Sequence, residues 1–86
     1  TVNAFPDYVF ESDYKVMPLT KLDKYIKQYK HLPDVPSAKE VDDNNGIEVG
    51  KMQTLLLKKV EELTLYIIAQ QKELDEVKAQ LLILKK

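Results

Sequence analysis

From Lys51 to Lys86 the chain contains neither proline nor glycine, and within that stretch apolar residues recur at alternating spacings of four and three. At ~1.5 Å per residue, roughly 35 residues of this kind predict one helix about 50 Å long. The repeat runs through Leu56, Val60, Leu63, Ile67, Gln70, Leu74, Val77, Leu81 and Leu84, which is the heptad pattern of a coiled coil. Val60, Ile67, Leu74 and Leu81 take core position a. Leu56, Leu63, Gln70, Val77 and Leu84 take position d. Eight of these nine residues are apolar, over four heptads, and a lone helix has no way to hide such a seam from water. Self-association is therefore the first expectation. Packing of the helix against its own N-terminal half is the alternative, but 50 residues are too few to cover the whole rod.

Oligomer number is less fixed. Val60 and Ile67 at a with Leu63 at d favour dimers, whereas Leu74 at a with Val77 at d favours higher states. Gln70 is the one polar residue in the seam, and such a residue fixes register or oligomer number at some cost in stability. Three glutamines meeting on a trimer axis would also offer amides to water or an anion. The upper half of the rod carries further apolar residues at Leu55, Leu57, Leu65, Tyr66 and Ile68, which ask for a covering layer. Lower down, Glu73 and Lys78 are spaced for an interchain ion pair from g to e′.

The covering layer is expected from residues 1–49. Phe5, Tyr8, Phe10 and Tyr14 with Pro6 and Pro18 suggest an extended arm, with at most one short strand near Val9 and Phe10. Leu19, Leu22, Tyr25, Ile26 and Tyr29 recur at spacings of three and four and predict an amphipathic helix. It begins after Pro18, and Pro33 forbids continuation beyond Leu32. Leu22, Ile26 and Tyr29 are its candidates for packing onto the rod. Pro33-Asp34-Val35-Pro36 reads as a stiff connector. Ser37 with Glu40 matches a capping box and predicts a short helix over 38–42, closed by Asn44-Asn45-Gly46. The predicted fold is thus mainly α: an arm and short helices over 1–49 forming a collar around a long helix, 50–86, in a parallel homotrimeric coiled coil.

Composition narrows the functional classes. The chain has 86 residues, too few for a robust core of its own. It contains no cysteine, which removes disulfides and thiolate metal sites. With 13 basic and 14 acidic residues mixed along the chain, no basic stripe exists to hold nucleic acid. The longest apolar run, Leu63 to Ala69, is interrupted by Thr64 and is far too short to span a bilayer. The start at Thr1 suggests a piece of something longer.

Signals for chemistry are sparse. Ser12 and Lys15 have the types of a Ser–Lys dyad, but nothing around them supplies a desolvated lysine or oxyanion donors. His31, the only histidine, reads as a residue at a helix C-terminus. Asp42, Asp43, Asn44 and Asn45 lack the alternating spacing and closing glutamate of a calcium loop. No enzyme activity, cofactor or metal is expected. Two rival readings are a self-processing serine protease built on Ser12, and a recognition module that stacks glycan or a secretion partner on Tyr8, Tyr14, Tyr25 and Tyr29.

Phe5-Pro6-Asp7-Tyr8-Val9-Phe10, His31-Leu32-Pro33, Val35-Pro36-Ser37-Ala38, and Gly46 and Gly50 leading into Glu61-Glu62-Leu63-Thr64-Leu65-Tyr66 together resemble a recurrent C-terminal region. That region closes many bacterial surface, secreted and phage tail-fibre-like proteins. The passage from Gly50 into the long helix is similar to the end of the endosialidase-type intramolecular chaperone domain. The resemblance implies a homotrimer at the C-terminus of a fibre or adhesin, outside the cell or on a virion, that sets chain association and register. Ser12 and Lys15 do not stand in the context of that domain's self-cleavage residues.

Overall fold

The computed structural model describes residues 5–85. It is mainly helical, with no strand among the described residues, and measures 62 × 32 × 18 Å. A 3-10 turn over Asp7–Phe10 is followed by α1 (Leu19–Tyr29), α2 (Ala38–Asp43) and α3 (Val49–Leu84). The arm thus carries a 3-10 turn where the sequence left room for a strand at Val9 and Phe10. The Val9 N–H donates to the Pro6 carbonyl at 3.1 Å, and this tight turn seats Val9 against α3. Val9 and Pro6 are the fully buried side chains of the described chain.

Pro18, extended at ψ 141°, leads into α1, and its carbonyl accepts the first helical bond from Leu22 at 2.9 Å. The helix stops at Tyr29, before proline becomes an obstacle. Lys30 takes a left-handed conformation, φ 63°, and its N–H closes the last turn on the Ile26 carbonyl at 2.8 Å. The chain then turns at Pro33-Asp34. Proline followed by a residue at positive φ, here Asp34 at 67°, with Val35 N–H on the Leu32 carbonyl at 3.2 Å, is the pattern of a type II turn.

The capping box forms as the sequence predicts. Glu40 N–H donates to Ser37 Oγ and Ser37 N–H to the Glu40 carboxylate, both at 3.1 Å. Holding that carboxylate on the Ser37 N–H keeps the Glu40 pKa below its ordinary value. Beyond α2, Asn45 and Gly46 both lie at positive φ, 58° and 107°, and the Gly46 N–H returns to the Val41 carbonyl at 2.7 Å. This reversal aims the chain into α3, whose 36 residues make a rod of about 54 Å. Against the predicted span 50–86, α3 starts one residue earlier and ends at Leu84 with Lys85 as its cap; Lys86, like 1–4 of the arm, lies outside the described residues.

Candidate assembly surface

The heptad positions divide α3 into two faces with different surroundings. On one, the eight apolar seam residues Leu56, Val60, Leu63, Ile67, Leu74, Val77, Leu81 and Leu84 are between 51% and 80% exposed. Gln70 is exposed among them. In a single chain the stripe has no cover along its entire length.

On the other face, the arm and the 30–36 connector lie against the upper part of the rod, and polar side chains hold them there. The Tyr66 hydroxyl donates to the Met17 carbonyl at 2.6 Å, and the Tyr14 hydroxyl donates to the Glu62 carboxylate. Burial, and then the Glu62 carboxylate, push the Tyr14 phenol up to about 12; burial also raises that of Tyr66. Lys58 Nζ donates to Asp34 at 2.9 Å and lies 5.9 Å from the centre of the Tyr8 ring, which packs on Tyr14 at 5.8 Å. Lys59 bridges Glu62 at 3.0 Å and Asp34 at 3.8 Å. Bonding to Lys58 holds the Asp34 carboxyl below its ordinary value and the Lys58 ammonium above its own.

These anchors occupy positions c, f and g of the heptad, so the cover stops short of a and d. Of the off-seam apolar residues expected to be covered, Leu55, Leu65 and Tyr66 are half-buried, whereas Leu57 and Ile68 stay 36% and 46% exposed. Glu61 is the surprise. A glutamate at position b reads as a solvated side chain, yet it is only 8% exposed, and its Oε1 has no hydrogen-bond partner among the described residues. Burial, with the charge of Asp7 adding to it, raises its pKa. The 3-10 turn that seats Val9 also closes over this carboxylate, and no local signal announced it.

Leu22 of α1 is half-buried and lines a cleft of about 290 Å³ between the connector and α3; Ile26 and Tyr29 are 39% and 51% exposed. Tyr25, Tyr29 and His31 instead cluster with one another, with ring centres 4.6–6.4 Å apart. His31 lies beyond the α1 cap, with Nδ1 2.8 Å from the Leu32 carbonyl. Ser12 and Lys15 are both exposed. Among the described residues no group of three His, Cys, Asp or Glu side chains is placed to hold a metal, and no helix is long and apolar enough to cross a membrane. No known protein family, curated protein or solved structure matches the chain.

Proposed function

We propose that this chain is a self-association module, in which α3 pairs in parallel with copies of itself through the stripe from Leu56 to Leu84. The observation that carries the reading is the exposure of all eight apolar seam residues on a face that the arm leaves bare. Surface area supports it. A compact globule of 10.0 kDa exposes ~5200 Å². This chain exposes 7417 Å², about 2200 Å² more, an excess of the size that stable interfaces remove from water.

The fuller reading is a homotrimer that closes a fibrous surface protein, adhesin or tail-fibre-like chain, with Gln70 setting register. Three local helices find one another more readily than three long shafts rich in distant contacts, so such a module would act as an intramolecular chaperone for what it terminates. Its role is binding rather than catalysis.

Light scattering on a sizing column, across a dilution series, is the test. The expected result is a mass near three times 10.0 kDa that holds on dilution. Ile67→Asp places a charge in the seam and is expected to give a monomer, whereas Lys72→Ala on the exposed flank leaves the mass unchanged. A wild-type chain that stays monomeric at high concentration sinks the reading.

A further inference from the structure

The cleft borders the seam. Lys59 and Tyr66, at position g, line it together with the seam residue Leu63, and Leu22, Leu32 and Pro33 form the facing wall. Leu63 therefore belongs to both surfaces, and cleft and stripe are continuous. The wall stands off the rod: no Cα of α1 comes within 8 Å of α3. The α1 stripe is half-finished in consequence, with Ile26 and Tyr29 exposed.

In a parallel coiled coil, a g residue meets the e position of the following heptad on the neighbouring helix. Glu73 at g and Lys78 at e make an opposite-charge pair only in that orientation, which favours parallel over antiparallel packing. The same rule sets Lys59 against Thr64 of a second copy, and Tyr66 against its Gln71. Neither e residue carries a charge. The Thr64 hydroxyl is bonded to the Val60 carbonyl of its own helix at 2.9 Å, leaving the methyl free for contact, and the Gln71 amide donates to Asp75 of its own helix at 3.0 Å. Lys59, a cation on this edge, is already paired with Glu62 and Asp34, so closing the cleft over it leaves that charge paired.

We propose that the cleft is completed by a second copy of the chain: the Thr64–Gln71 edge of one α3 seats between α1 and α3 of its neighbour. Each α1 then clasps across a subunit boundary, and the collar is shared between chains. This inference rests on the self-association reading and adds the neighbour's edge as the cleft's occupant.

The chain has no cysteine, so single thiols can be placed without background. Leu22→Cys and Thr64→Cys are made in separate chains, one carrying a tag that alters its mass. The two are refolded together and treated with a short bis-maleimide. The expected main product is the mixed pair, Leu22→Cys joined to Thr64→Cys. An oligomer of full mass that yields only unmixed pairs, or no link, overturns the clasp and leaves self-association standing. A wild-type monomer on the sizing column removes both. Adding Ile67→Asp to each chain is expected to abolish the mixed link; a link that persists between monomers reports collision and also overturns the proposal.

Discussion

The two halves of α3 carry the same apolar stripe in different surroundings. From Met52 to Tyr66 one flank is covered by the arm and connector, with Tyr14, Asp34 and Met17 bonded to Glu62, Lys58 and Tyr66. From Ala69 onward every described residue is exposed. The cover ends at mid-rod, but the stripe does not. The cover therefore answers part of the extra apolar surface of the upper half, Leu55 and Leu65 but not Ile68, and the stripe answers to something else. A helix that needed only its own chain for burial would have stopped where the arm stops.

That contrast can be broken most forcefully in the Ile67→Asp monomer. An isolated helix of some fifteen residues is marginal in water. Amide exchange over residues 70–84 is expected to become fast in this variant, while amides over 55–66, held by the arm, keep their protection. Equal protection in both halves would show that the lower rod needs no partner. Val9→Ala probes the cover itself. Removing two methyl groups from a side chain only 1% exposed is expected to cost about 2 kcal/mol in a denaturant melt, with the oligomer's mass unchanged.

Glu61 sharpens the comparison further, since it is the one buried charge on the covered flank. Its raised pKa means that the folded chain holds the proton more tightly than the unfolded chain, so the group favours folding at low pH. Below the ordinary value of 4.5 burial carries no charge penalty; the penalty develops as pH rises through the raised value. Glu61→Gln is thus expected to raise the melting temperature at pH 7 and to leave it nearly unchanged at pH 4. A gain of equal size at both values would sink the assignment. The smallest effect belongs to Asp34→Asn. Asp34 is 57% exposed, so losing its bond to Lys58 is expected to cost about 0.5 kcal/mol, less at high salt.

Much of this arrangement was legible in the sequence because it is local. The end of α1 before Pro33, the Ser37–Glu40 capping box, the Asn45-Gly46 reversal and the length of α3 each depend on neighbours a few residues away. The partition of α3 was legible as well, since heptad positions are a matter of counting. The 3-10 turn at Asp7–Phe10 was not, because its conformation is settled by contact with a helix some fifty residues on. No local pattern pairs Lys58 or Lys59 with Asp34, and only the Pro33-Asp34 turn, by bringing Asp34 beside them, makes them anchors. Glu61 was hidden for the same reason. Position in the heptad says which way a residue faces relative to a sister helix, and nothing about an arm crossing behind.

The direction of the arm has a mechanical consequence. It runs along α3 in the same sense as the helix, with Tyr8 beside Lys58 near its start and Met17 bonded to Tyr66 near its end. Tension applied at Phe5 along the rod therefore loads the Val9 contact, the Tyr14–Glu62 bond and the Met17–Tyr66 bond together, in shear. A pull at right angles would instead open them one at a time, like a strip peeled from its backing. The rate of forced opening is then set by the direction of the load as much as by the strength of any single bond.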